Sequence, residues 1–189
     1  LVIPTGNLGN AMAAILARAM GLPLGQIALA TNANDVLPRY FHGEAYRAQT
    51  SVATLANAMD VGAPSNFERL RWLYNDDDVA LRGAFTADAV DDAAIRELIK
   101  RRHDLHGEVF CPHTATAVAR LEHLRAAGAQ GHWAVAATAH PAKFESVVEP
   151  LIGQALAVPP ALAALLQRPA QAEACAPAYG ALREVLLRR

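Results

Sequence analysis

Pro4-Thr5-Gly6-Asn7-Leu8-Gly9-Asn10 carries the most chemistry in its spacing, a two-glycine turn between the apolar Leu1-Val2-Ile3 and an alanine-rich run from Ala11. Glycines let the backbone turn tightly, and a helix starting there offers unpaired N–H groups at the positive end of its dipole. Such a turn suits a phosphate group. The Gly-Lys-Ser/Thr ending of a P-loop is missing and G-x-G-x-x-G is not satisfied. Glycine spacing alone therefore leaves two readings open, an anion loop or a strand-to-helix turn that holds no ligand. The histidines invite a metal reading, since His103-x-x-His106 and Cys111-Pro112-His113 supply nitrogen and sulfur. No second closely spaced ligand pair is clear, and no metal site is expected. Cys111 has no evident base partner and reads as a small buried hydrophobe. Asp76-Asp77-Asp78 reads as a solvated turn able to cap a helix.

These residues need elements to position them. Strand-like apolar stretches alternate with helical patterns, which predicts an α/β fold with helices flanking a mostly parallel sheet. The first unit is a strand over Leu1 to Ile3, a turn over Thr5 to Asn10 and a helix over Ala11 to Met20, stopped by Gly21-Leu22-Pro23. Gln26 to Thr31 reads as a strand. A helix from Asn34 or Asp35 to Phe41 follows, with Pro38 in its first turn and Gly43 at its end. Thr50 to Ser65 is small, polar and irregular, and Asn66 to Tyr74 is helical. Asp91 to Arg102 is an amphipathic helix, acidic at its start and basic at its end. Glu108-Val109-Phe110 is a short strand candidate, Thr114 to Ala127 a helix closed by Gly128, and Trp133 to Ala137 a buried strand. Helices are expected from Pro141 to Ile152, from Ala161 to Leu166 and from Ala178 to Leu187.

With 189 residues, 53% of them hydrophobic and 19% charged, the chain buries a sizeable core, which excludes a disordered tail or a disulfide miniprotein. Seventeen basic residues against eighteen acidic ones leave a charge of −1, so binding to nucleic acid or an anionic membrane is not expected. The only cysteines are Cys111 and Cys175, and no run reads as a membrane span, which predicts a reducing, cytoplasmic setting. The opening Leu1-Val2-Ile3 looks like the middle of a strand, and the expectation is a fragment of a chain that continues upstream.

Four blocks carry a family resemblance. The glycine turn resembles the phosphate loop of threonine synthases, Ser-Gly-Asn-Phe-Gly-Asn or Asp, with Thr5 for Ser and Leu8 for Phe. Ala30-Thr31-Asn32-Ala33-Asn34-Asp35 is similar to the family's Ala-Thr-Asn-x-Asn-Asp. Asn57-Ala58-Met59-Asp60-Val61 with Ser65-Asn66-Phe67-Glu68-Arg69 resembles its Ala-Met-Asp and Asn-Phe/Trp-x-Arg stretch. Pro112-His113 and Ala137-Thr138-Ala139-His140-Pro141-Ala142-Lys143-Phe144 resemble its Pro-His and Thr-Ala-His-Pro-Ala-Lys-Phe blocks.

The resemblance implies a fold-type II enzyme using pyridoxal 5'-phosphate, which converts O-phospho-L-homoserine and water into L-threonine and phosphate. It implies that Gly6, Asn7, Leu8, Gly9 and Asn10 cradle the cofactor phosphate. Thr138 would offer its hydroxyl to the pyridine nitrogen, without forcing it to be protonated. Ser65, Asn66, Arg69 and Lys143 are candidates for the substrate phosphate, and His113 and His140 line or support the site. No catalytic residue is expected within the chain, because the family's Schiff-base lysine lies upstream of the loop. Lys100 sits among Arg101 and Arg102 at a helix end, and Lys143 suits a structural or substrate-facing role. Residues 1–189 would then be the C-terminal part of the cofactor-binding α/β domain, inactive alone, with the missing N-terminal half as its partner. Two alternatives stand beside this reading: a non-catalytic phosphate-binding or regulatory module, and another fold-type II lyase such as threonine dehydratase.

Overall fold

Three short apolar runs become the strands β1 (Val2–Pro4), β2 (Ile27–Thr31) and β3 (Phe85–Ala89), paired in parallel in the order β1-β2-β3. The computed structural model describes residues 1–169 and 171–188. The helices are α1 (Gly9–Ala19), α2 (Val36–Phe41), α3 (Phe67–Leu73), α4 (Asp78–Ala84), α5 (Asp92–His106), α6 (Pro112–Ala126), α7 (Glu145–Ile152), α8 (Pro160–Leu166) and α9 (Tyr179–Leu187). Single 3-10 turns lie at Asn57–Met59 and Pro141–Phe144. The chain divides into two compact units, Leu1–Leu156 and Ala157–Arg189. The second contains α8 and α9, neither of which has a buried residue.

Within the first unit, side chains alternate across the sheet as a pleated strand requires. Ile3, Ile27, Leu29, Phe85 and Ala87 join Ile15 of α1 and Leu37 and Tyr40 of α2 in one cluster. Val2, Ala28 and Ala30 face Ala117 and Leu124 of α6. Helices therefore cover both faces, the arrangement that a parallel sheet needs. All three strands point their carboxyl ends the same way, so the segments that follow them, beginning at Thr5, Asn32 and Val90, leave the sheet at one rim. That rim is where an open α/β sheet builds its sites.

Most expected elements are present, with shifts of a few residues at their ends. Asp77 caps α4 by accepting from the Val79 and Ala80 amides, and Asp91 caps α5 by accepting from Ala94. Helix α5 runs to His106, four residues past the expected end, and stops at Gly107 in a left-handed conformation (φ 68°). Asp35, not Asn34, precedes α2, and it makes no side-chain cap. Two strand expectations are corrected. Glu108-Val109-Phe110 is irregular backbone leading into α6. Trp133 to Ala137 is no buried strand: it makes one parallel bridge, Val2 to Val135, and Ala134 and Ala137 are exposed. Among the described residues this segment pairs on one side only, through Val2 N–H to Ala134 O and Ala136 N–H to Val2 O. Helix α4 and strand β3 were not anticipated from sequence. In β3 the polar Thr86 and Asp88 alternate with apolar residues and turn toward Arg120 of α6, whose guanidinium reaches Thr86 Oγ1 at 3.3 Å and Asp88 Oδ2 at 2.5 Å.

Candidate functional site

The loop after β1 is held close to the sheet, with Thr5 N–H donating to Ala30 O at 2.8 Å. Gly6 is buried against the 3-10 turn Asn57–Met59: a Cβ there would lie 2.7 Å from Met59 Cα and 2.8 Å from its carbonyl oxygen. Only glycine lets two backbones pass at that separation. Leu8 adopts a left-handed conformation (φ 61°), which costs on the order of 1–3 kcal/mol for a non-glycine residue. Its side chain is fully buried in the core of the first unit, which pins it there. The left-handed turn gathers successive amides on one side, as in an anion-binding nest.

Helix α1 starts immediately afterwards. Its first internal bond is Met12 N–H to Leu8 O at 2.7 Å, so the amides of Gly9, Asn10 and Ala11 have no helical acceptor. No side chain caps this end, and no acidic residue lies in the first turn. The positive end of the helix therefore opens uncompensated into a cavity of about 380 Å³. Gly6, Asn7, Gly9 and Asn10 line one side of that cavity, and Thr138 and Lys143 line it too. Leu8 does not line the cavity: its side chain is fully buried in the core, and its left-handed backbone shapes the turn.

Ser65, Asn66 and Arg69 do not line the cavity. They grip the loop from outside: Asn7 Oδ1 accepts from Ser65 N at 2.6 Å and Ser65 Oγ at 3.0 Å, and Asn66 Nδ2 donates to Asn7 O at 2.7 Å. Arg69 in turn donates to Asn66 Oδ1 at 2.9 Å. Lys100 lies away from the site, in an exposed pair with Asp104 at 2.8 Å.

The Asn32, Asn34 and Asp60 positions act together at the end of β2, a role that sequence reasoning missed. Asn32 is fully buried, and its Nδ2 donates to Asp60 Oδ1 at 2.7 Å, Thr54 Oγ1 at 2.8 Å and Ala56 O at 3.2 Å. Asn34 Oδ1 accepts from Val52 N, and Asp60 Oδ2 accepts from Thr54 N. Such a network satisfies the polar backbone of an irregular segment that would otherwise be left unpaired. It also fixes Ala58 and Met59 as a wall of the cavity. The available signal was the crowding of Asn, Asp and Thr within two of the blocks.

His113, Cys111 and Thr114 cluster at the start of α6. Ala58 N–H donates to His113 Nε2 at 3.1 Å, and the His113 ring lies 4.9 Å from that of Phe144. Cys111 Sγ caps α6, accepting from Thr114 N at 3.4 Å and lying 3.3 Å from Thr114 Oγ1. Burial pushes the Cys111 thiol up, but His113, the Thr114 hydroxyl and the Thr114 and Ala139 amides favour the thiolate and bring it to about 7. The residue is fully buried, as expected of a small buried hydrophobe, and its sulfur also has polar neighbours. His140 caps the 3-10 turn Pro141–Phe144, its Nδ1 accepting from Ala142 N at 3.1 Å. That capped turn places Lys143 beside the cavity.

Known proteins resemble this chain in sequence and in fold. A family profile described as "Threonine synthase, C-terminal" matches residues 114–186. Threonine synthase of Serratia marcescens is 36% identical over 98% of the chain, and that of Escherichia coli (strain K12) is 34% identical over 98%. The chain spans 42% of the length of each relative. Among solved structures, threonine synthase from Escherichia coli superposes with a TM-score of 0.84 at 33% identity, covering 99% of this chain and 43% of that one. A PLP-bound threonine synthase from Brucella melitensis superposes at 0.75 with 31% identity, covering 88% of this chain and 41% of that one. The chain belongs to the threonine synthase family and corresponds to the C-terminal portion of its members.

Proposed function

We propose that the chain supplies the phosphate cradle and the ring-nitrogen contact for pyridoxal 5'-phosphate in a threonine synthase, which turns O-phospho-L-homoserine and water into L-threonine and phosphate. One observation carries the reading: an uncapped helix N-terminus, preceded by a left-handed nest, opens into a cavity that Thr138 also lines. The residues fit the cofactor. The amides of Gly9 and Asn10 are donors suited to a dianionic phosphate. A Cβ at Gly9 would meet nothing within 4 Å, so the space above it is open. Thr138 follows the segment bridged to β1, which puts it beside the loop along one sheet rim.

When bound, the cofactor acts as an electron sink for the carbanions of the substrate. Gly6 to Asn10 would fix its phosphate, Thr138 would hold the ring nitrogen as a neutral hydroxyl partner, and Lys143 would place a cation at the mouth of the cavity. Ser65, Asn66 and Arg69 are better suited to bracing the loop than to holding substrate, since their polar atoms are spent on Asn7 and on one another. The lysine that bonds the cofactor aldehyde would come from protein outside these residues. Two free thiols, Cys111 and Cys175, accord with work in a reducing cytoplasm. Among the described residues no helix is long and apolar enough to cross a membrane.

The test is a fluorescence titration of the protein with pyridoxal phosphate, with inorganic phosphate as competitor. Saturable binding relieved by phosphate is expected. Gly9→Asp should keep the fold, since a first-turn carboxylate suits the helix dipole. It should also weaken binding at least about fivefold, because two anions near 4 Å repel by about 1–4 kcal/mol. Binding unaffected by phosphate and by Gly9→Asp would overturn the reading.

A further inference from the structure

His113 is 95% buried, the complement of its 5% exposure, and the network assigns its tautomer. A backbone amide can only donate, so Nε2 accepts from Ala58 and the proton of the neutral ring sits on Nδ1. That Nδ1 is buried and has no hydrogen-bond partner of good geometry. Its ring is nonetheless one of the groups that favour the thiolate of Cys111, two residues away. On the other side of the sulfur lies Thr114. Its hydroxyl accepts from Thr138 N at 3.3 Å, and an oxygen already accepting from an amide can turn its own proton toward the sulfur, 3.3 Å away. A line of contacts thus runs from Ala58 and Met59, the wall on which Gly6 rests, through His113 and the first turn of α6, which it shares with Cys111 and Thr114, to the backbone of Thr138.

The two ends of this line are the two ends of the site. Gly6 turns the phosphate loop against Met59, and Thr138 carries the hydroxyl assigned to the ring nitrogen. Each lies on a segment with little regular structure of its own: the 3-10 turn Asn57–Met59 follows an irregular stretch, and Thr138 follows a segment with a single bridge. Helix α6 is the rigid body between them, fifteen residues long and packed on β1 and β2. Its first residues are therefore placed to set the spacing between cradle and hydroxyl. Spacing matters for a ligand gripped at two points, because positional errors of about 1 Å remove much of the benefit of a preorganised contact.

We infer that Cys111, His113 and Thr114 are positioning residues that hold Thr138 in register with the phosphate cradle, so that the site takes a ligand whose phosphate and ring nitrogen are gripped together. The inference rests on the cofactor reading above and deepens it. Cys111 and Thr114 do not line the cavity, while His113 does and also holds the Ala58 amide. Thr114 acts on the ring end, through the Thr138 amide, and His113 acts on the cradle end, through the Ala58 amide.

The experiment compares two probes on the natural full-length protein. Inorganic phosphate reads the cradle alone, and pyridoxal phosphate reads both ends. Thr114→Val keeps the shape but leaves the Thr138 amide without its acceptor. It is expected to weaken pyridoxal phosphate about tenfold while changing phosphate affinity less than about twofold. Thr114→Ser should restore both. With nitrogen-labelled cofactor, the ring-nitrogen resonance should move in Thr114→Val and return in Thr114→Ser, a change that a general loss of stability would not produce. Should Thr114→Val fail to fold, Cys111→Ser, which keeps a cap on α6 but alters the hub, carries the same comparison. Equal weakening of both probes, no weakening of either, or failure of serine to rescue would overturn the inference. Loss of competition between the two probes in the unsubstituted protein would instead overturn the cofactor reading itself, a distinguishable outcome.

Discussion

Two opposing effects meet on the sulfur of Cys111. Burial favours the neutral thiol, while His113, the Thr114 hydroxyl and two amides favour the thiolate, and the second set prevails, moving the thiol from 9.0 to about 7. The folded state thus releases a proton that the unfolded chain keeps between about pH 7 and 9. Stability from this group is fully present above the unfolded value and is lost as pH falls through the folded one. Denaturant unfolding should therefore show stability rising from pH 7 to 9, by an amount on the order of 1–2 kcal/mol, relative to Cys111→Ser. A flat difference between the two proteins across that range would refute the assignment. Full burial makes a second statement about the same atom: thiolate character here does not imply fast alkylation, because a reagent must reach the sulfur.

The elements that place the site differ in how far sequence announces them. Asp77 and Asp91 caps, the glycine stop at Gly21 and the β1-α1-β2 unit are written in local residue types, and all are found. Strand β3 is not so written. Phe85-Thr86-Ala87-Asp88-Ala89 has only one strongly strand-favouring aromatic, and its polar residues are accommodated by Arg120, thirty-two positions beyond Asp88. Trp133 to Ala137 misleads in the opposite direction, because an apolar run predicts burial while the fold gives it one neighbour. The Asn32–Asp60 network is a third case: its residue types are visible, but its partners lie as far as 28 positions apart. Its role is testable at this scale. Asn32→Ala leaves Asp60 and the Ala56 carbonyl short of a donor and should cost about 2–3 kcal/mol. Hydrogen exchange should quicken first at the Val52 and Thr54 amides, whose acceptors belong to the network. Exchange there that changes only in step with the sheet amides would show that the network is no local clasp.

At the scale of the whole molecule the question is where the remaining chemistry resides. The first unit brings the glycine loop and Thr138, the proposed cradle and ring contact, to one cavity, yet the sequence has only two lysines, Lys100 and Lys143. Lys100 is committed to an exposed helix-surface pair with Asp104 and does not line the cavity. Lys143 lines the cavity from the capped turn Pro141–Phe144, where its ammonium would face a phosphate held at the loop. A Schiff base needs the reverse, an amine free to attack as a neutral nucleophile. The chain spans 42% of its curated relatives, which leaves ample sequence for that amine. Borohydride treatment of the natural full-length protein with pyridoxal phosphate should therefore fix one pyridoxyl group per site on a lysine outside these 189 residues. Lys143→Met should weaken the affinity for phosphate severalfold yet leave that labelling site unchanged. Stoichiometric labelling of Lys143 would place both the grip and the covalent chemistry within this one chain, and the division of labour argued here would fall.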